Sequence, residues 1–203
     1  MVSEPTVYNT RTVYDKAGGG GGGGEYVEIG GVYYRTVEHN GIIWLCSNLL
    51  YTNGLTNAGA TPISPTTPAY WFWEGNQYST IMFYNHAAIE NFIQNNEFGN
   101  WRVPTLSDFS TLTNNFNSYE LRKKFGWASN NGTDESKMSF IGSGYFTEAT
   151  APYFLQIGSV ENLWTSEKSG TYFKAIQIFN SYINEFVEPT TQRGYSLRLC
   201  RDV

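Results

Sequence analysis

Asn100-Trp101-Arg102-Val103-Pro104-Thr105-Leu106-Ser107-Asp108-Phe109 carries the densest local information in the chain. Proline restricts the residue before it to extended backbone, so Val103 ends a strand-like approach. Thr105 then stands where a helix N-cap belongs, with Asp108 three positions on as a variant capping box. Leu106, Phe109, Leu112 and Phe116 follow at spacings of three, three and four, which makes one helix face apolar. The stretch predicts a strand, a proline stop and a supporting helix in quick succession, with Trp101 in the core.

Working outward, Ile81 to Asn96 reads as a second helix with Ala87, Ala88, Ile89, Phe92 and Ile93 as its apolar set. Tyr119 to Phe125 reads as a short turn ended by Gly126, and Arg122-Lys123-Lys124 as a solvated helix end. Upstream, Tyr26-Val27-Glu28-Ile29 turns at Gly30-Gly31 into Val32 to Val37, and Asn40-Gly41 turns into Ile42 to Cys46. Gly-Gly and Asn-Gly suit tight hairpins because they accept positive φ. Tyr51 to Pro68 is rich in Asn, Gly and Pro and reads as loop; so long a stretch is usually functional or an insertion. Tyr70-Trp71-Phe72-Trp73 is read as core packing rather than a ring display. Phe140 to Tyr145 and Ala151 to Ile157 are short segments bounded by Gly or Pro. The chain closes on strands at Asn162 to Ser166, Tyr172 to Phe179 and Tyr195 to Arg201. The expectation is α+β: antiparallel sheet at both ends of the domain, two main helices between, and long loops.

Gly18 to Gly24 is an unbroken glycine run. Glycine loses the most backbone entropy on ordering, so no core wants such a run. It reads as a linker of roughly 15 Å r.m.s. span, dividing the chain into a head (residues 1–17), the linker (18–24) and a domain (25–203). The head is too short to bury a core. Its stretch from Val7 to Tyr14 alternates loosely and suits strand addition to a partner. We read it as an anchor, with Val7, Tyr8, Val13 and Tyr14 as the gripping residues, against the alternative of a disordered tail.

Charged residues make up only 15% of the 203 and aromatics reach 17%; ordinary domains carry about 25% charge. A polar coat of low charge is common in extracellular and virion binding proteins. The formal net charge of -5 argues against phosphate neutralisation, so nucleic acid is not an expected partner. No apolar run is long enough to span a bilayer, and no secretory h-region is visible. Cys46 and Cys200 sit in apolar strand-like contexts and read as buried free thiols, a single bridge being the alternative. His39 and His86 lack the neighbours that a triad or zinc site needs. Glu185 and Glu188 invite comparison with a carboxylate pair but read as solvated loop charges. Asp134-Glu135 is isolated, so no calcium site is expected. Asn131-Gly132-Thr133 matches a glycosylation sequon, a weak signal in an Asn-rich chain. We expect no enzyme activity, no cofactor and no metal.

Four segments together resemble the Fibrobacter succinogenes major paralogous domain family, common in Bacteroidetes, over about residues 26 to 203. They are Gly31-Val32-Tyr33-Tyr34-Arg35-Thr36-Val37 with Trp44-Leu45 and Asn48-Leu49; Asn100-Trp101-Arg102-Val103-Pro104-Thr105 to Leu112; Leu163-Trp164-Thr165-Ser166-Glu167; and Gly194-Tyr195-Ser196-Leu197-Arg198-Leu199-Cys200-Arg201-Asp202. The family's frequent Cys-Pro before the Gly-Trp is absent, and Asp108-Phe109 stands where Glu-Trp is usual. The resemblance implies a C-type-lectin-like fold and a ligand-display role. The Glu-Pro-Asn, Gln-Pro-Asp and Trp-Asn-Asp triplets of calcium-dependent sugar binding do not occur. Similar domains occur on phage fibres. With the head and linker, this leads us to expect a phage head or tail fibre or capsid decoration protein at the virion surface. Its head would engage other virion proteins, and its domain a host-surface glycan or protein. A homo-oligomer such as a trimer fits that expectation. A purely structural virion component and a bacterial surface adhesin are the alternatives. In such a fold, recognition falls on the late strands and their loops, here Tyr172, Asn180, Tyr182, Asn184, Glu185 and Arg193, because Tyr and Asn supply contact area and adaptable hydrogen bonds.

Overall fold

The computed structural model describes residues 25–59, 63–74, 80–129, 131–148, 153–179, 181–189 and 193–203. The head and glycine run lie outside them, and with them the expectations on Val7, Tyr8, Val13 and Tyr14; so does Asn180. The described residues form an α+β fold.

Its first sheet is built from the two hairpins. β1 (Tyr26–Ile29) and β2 (Val32–His39) join through Gly30-Gly31, and β2 joins β3 (Ile42–Leu45) through Asn40-Gly41. All four turn residues have positive φ, the conformation that tight primed turns demand. The last strand, β13 (Cys200–Asp202), adds to β3, giving the order β1-β2-β3-β13. Three smaller sheets follow. β4 (Thr56–Asn57) lies parallel to β5 (Ala69–Glu74), which pairs with β6 (Thr80–Tyr84). β7 (Tyr145–Thr147) sits between β8 (Phe154–Leu155) and β12 (Arg193–Gly194). β10 (Tyr172–Ile178) sits between β9 (Glu161–Ser169) and β11 (Ile183–Val187).

Three helices lie between the early and late strands. α1 (His86–Gln94) is shorter than the sequence suggests, because Ile81 to Tyr84 belong to β6. That run is buried throughout, and an apolar run enclosed on both faces has no helical or strand periodicity to read. The helix begins where Asn85 accepts the Ala88 N–H, and Ile93, assigned to its apolar face, is exposed. α2 (Leu106–Thr113) starts with the expected reciprocal box between Thr105 and Asp108. Leu106, Phe109 and Leu112 are buried beneath it. α3 is a single turn, Ser118–Leu121, set back from the expected Tyr119 to Phe125. Arg122 is not solvated: it is fully buried, its guanidinium 4.8 Å from the Trp127 ring and 5.3 Å from that of Tyr119. The aromatic faces offset part of the cost of burying the cation.

Trp71 is buried and stacks on Phe146 at 4.1 Å, whereas Phe72 on the opposite pleat is exposed. The four-aromatic run is thus half core and half surface, as strand alternation requires. Both cysteines are buried free thiols.

The segment from Tyr195 to Arg201 is no continuous strand. It bonds in turn to widely separated parts of the domain: Tyr195 with Tyr84, Ser196 with Asn162 and Trp164, Leu197 with Leu49, Leu199 with Leu45, and Cys200 with Arg102. Arg198, fully buried at its centre, donates to Asn48 Oδ1 through Nε (3.1 Å) and Nη2 (2.7 Å), and to the Met138 carbonyl. Asn48 in turn donates to the buried Glu161 at 2.7 Å, and Ser143 N–H donates to the other Glu161 oxygen at 2.9 Å. Burial pushes the Glu161 carboxyl up to about 7 against the pull of Arg198. Burial likewise lowers Arg198 to about 10 despite Glu161. Desolvation outweighs mutual attraction on both sides, the usual balance for an enclosed pair.

Candidate functional site

β10 and β11 form a hairpin in which Ile178 faces Ile183 and Lys174 faces Val187. The sequence reading places a loop from Asn180 to Arg193; the structure puts Asn184 and Glu185 in β11 instead. That strand escapes the eye because its residues are largely exposed, and an edge strand needs only one buried flank.

The hairpin tip is closed by Phe179 N–H donating to the Tyr182 carbonyl at 2.8 Å. The Tyr182 ring lies on that of Phe179, with centroids 4.2 Å apart and planes 24° apart. One ring face is thereby covered, and the residue remains 53% exposed. Asn184 pairs across the ladder with Gln177, whose side chain donates to Asn162 Oδ1 at 2.7 Å. Asn162 donates onward to the Gly144 carbonyl at 3.0 Å. Tyr182 thus stands at the tip on a ring that stacking holds, while Asn184 and Glu185, consecutive in β11, turn to opposite faces of the hairpin.

Tyr172 and Arg193 are at the other end of the hairpin. Tyr172 lies five residues before Gln177 along β10, roughly 16 Å at strand rise. It borders His86, with rings 6.3 Å apart. Glu188 N–H donates to the Phe173 carbonyl at 3.2 Å, so the end of β11 meets the start of β10. There Arg193 donates to Glu188 at 3.2 Å while its guanidinium lies 5.2 Å from the Tyr145 ring. Glu188 is fully buried and also accepts from the Tyr195 hydroxyl. It is no solvated loop charge: Arg193 and Tyr195 compensate its burial, a role that sequence spacing does not announce. The six residues expected to form one surface thus fall into a tip group and a base group, with Asn180 outside the described residues.

His86 Nε2 accepts the Phe173 N–H at 2.9 Å, and burial followed by the charge of Lys168 lowers its pKa, favouring the neutral ring. His39 is bonded to the Ser136 carbonyl at 2.6 Å, in another part of the fold. Burial raises the pKa of both thiols, which disfavours the nucleophilic thiolate. Among the described residues, no three His, Cys, Asp or Glu side chains gather as a metal site, and no helix is long and apolar enough to cross a membrane. Near the tip, the Tyr182 ring, the Asn184 amide and the Glu185 carboxylate are exposed. Comparison with family models, with curated proteins and with solved structures finds no match.

Proposed function

We propose that this chain is a non-enzymatic phage virion protein, a head or tail fibre or capsid decoration. On this reading a C-type-lectin-like domain presents the β10–β11 tip to a host-surface glycan or protein, and residues 1–17 attach the chain to the particle. The observation that carries the binding role is Tyr182, exposed at the hairpin tip yet stacked on Phe179. A ring held in place before contact loses little entropy on binding.

The finer fold assignment draws support from where the four resembling segments meet. Asn48 of the first bonds Arg198 of the fourth. Ser166 N–H of the third donates to the Pro104 carbonyl of the second at 2.7 Å, and Arg102 and Cys200 exchange backbone bonds. Residues quoted from distant parts of the sequence thus interlock as one scaffold.

The test is adsorption of particles carrying Tyr182→Ala/Asn184→Ala to host cells, with the variant's fold checked by circular dichroism. Adsorption should drop at least tenfold. Unchanged adsorption by particles containing the folded variant would remove the tip from the binding role and favour the structural reading.

A further inference from the structure

His86, the first residue of α1, reaches across to the start of β10. β11 ends at Val187, opposite Lys174, so the ladder between β10 and β11 stops short of Phe173. The Phe173 carbonyl accepts the Glu188 N–H at 3.2 Å, and the Phe173 N–H goes to His86 Nε2 at 2.9 Å. A ring nitrogen thus stands where a longer strand would have offered a carbonyl. Imidazole accepts a hydrogen bond only while it is neutral, and through Nε2 only while the proton is on Nδ1. His39 has the opposite duty: its Nε2 faces the Ser136 carbonyl at 2.6 Å and must donate.

The surroundings of the His86 ring oppose a positive charge. The ring is half-buried against Trp164 of β9 and against Tyr172 and Phe173 of β10, at centroid distances of 6.2, 6.3 and 4.5 Å. It also lies at the positive end of the α1 dipole. Two charged side chains act on it, Lys168 from β9 and Glu90 from the next turn of α1. They pair with each other, and Lys168 Nζ lies 4.6 Å from the centre of the Phe173 ring. Burial and then Lys168 lower the His86 pKa, and Glu90 opposes them. From β10 the titratable neighbour is Tyr172, while the Glu188 carboxylate accepts from Arg193 and Tyr195.

We propose that His86 is a pH-operated latch on the base of the β9–β10 hairpin. Neutral, it holds the Phe173 N–H; protonated at Nε2, it turns a donor toward a donor and releases that strand end together with Tyr172. Ala175 to Ile178 stay paired with both β9 and β11, so the release is confined to the base. The register shift between Phe173 and Ala175 lies at the boundary. With its pKa lowered, the folded ring binds the proton less readily than the unfolded chain does. The latch is therefore closed above the ordinary histidine value of 6.5 and opens as pH falls through the lower folded value. It does not depend on what the domain binds.

NMR of the full chain tests it. With the histidines isotope-labelled, at pH 8 His86 should carry its proton on Nδ1 and His39 on Nε2. Protection of the Phe173 amide from hydrogen exchange, relative to an unstructured chain at the same pH, should fall about tenfold from pH 7.5 to pH 5, as one hydrogen bond is lost. Protection at Leu45 and Cys200 should not fall, because Glu161 titrates with the opposite sign. His86→Gln, whose side-chain carbonyl accepts at every pH, should keep Phe173 protected across the range. A neutral His86 with its proton on Nε2, wild-type protection at Phe173 that does not change with pH, or an equal fall in His86→Gln would each overturn the proposal.

Discussion

Glu161 shows how one residue sets the pH behaviour of the fold. Its carboxyl is enclosed, accepts from Asn48 and Ser143, and is held at about 7 by burial, against 4.5 when free. A raised folded pKa means that the native state binds the proton more tightly than the unfolded chain does. The contribution to stability is therefore fully present below about pH 4.5 and is lost as pH rises toward 7, by about 3 kcal/mol at most. Chemical denaturation of the wild type from pH 5 to 8 should show this downward slope. Glu161→Gln should flatten it, while lowering stability at pH 5 because the new amide must turn an N–H toward Asn48 or Ser143. An unchanged slope in the variant would assign the pH dependence to other groups. Arg198→Leu should cost more, about 3–5 kcal/mol at pH 8, since it leaves an ionised carboxylate enclosed without its cation.

At the scale of elements, the α2 start joins three parts of the chain. Burial alone would raise Asp108, but hydrogen bonds from Arg102 and from Thr105 bring it below its ordinary value. Arg102 also reaches Asp202 at 2.8 Å, and Glu167 accepts the Leu106 N–H at 2.9 Å. Thr105→Ala removes one cap acceptor and should cost about 1 kcal/mol. Asp108→Ala removes the reciprocal cap and leaves Arg102 with only Asp202, so its midpoint in urea should fall further than that of Thr105→Ala; the reverse order would mean that the cap outweighs the ion pair. This element was legible in the sequence because its signals are local: a proline, a cap and a three-to-four spacing. The two Gly-bearing hairpins were legible for the same reason. The β6 strand and β11 were not. Ile81 to Tyr84 is buried on every side and carries no period, and β11 is an edge that packs only Ile183 and Phe186 against the apolar clusters. Arg122 and Glu188 were misread for a related cause: a charge looks solvated until the fold turns the rings of Tyr119 and Trp127, or the side chains of Arg193 and Tyr195, onto it, and irregular backbone over so few residues announces no such approach. The candidate site was legible in kind, as Tyr and Asn in the late strands, but not in layout, because only the hairpin register reveals that Tyr172 and Tyr182 lie at opposite ends.

For the whole molecule, the two ends of the chain have unequal roles. The final segment bonds to β3, β6, β9 and the residues around Arg102, and it carries Arg198 into the centre of the domain. Contacts from this one segment thus reach three of the four sheets among the described residues. Removing Leu199 to Val203 strips β13 from β3 and breaks the exchange with Arg102, so that variant should show no cooperative unfolding in calorimetry. Removing residues 1–17 leaves every hydrogen bond described within the domain intact. Its transition should stay cooperative, with a midpoint close to that of the full chain; on the proposed virion reading, incorporation into particles, read by immunoblot of purified virions, should be lost. A head-less chain that unfolds like the full one yet still enters particles would place the attachment surface on the domain. A head-less chain that no longer folds would make residues 1–17 part of the scaffold.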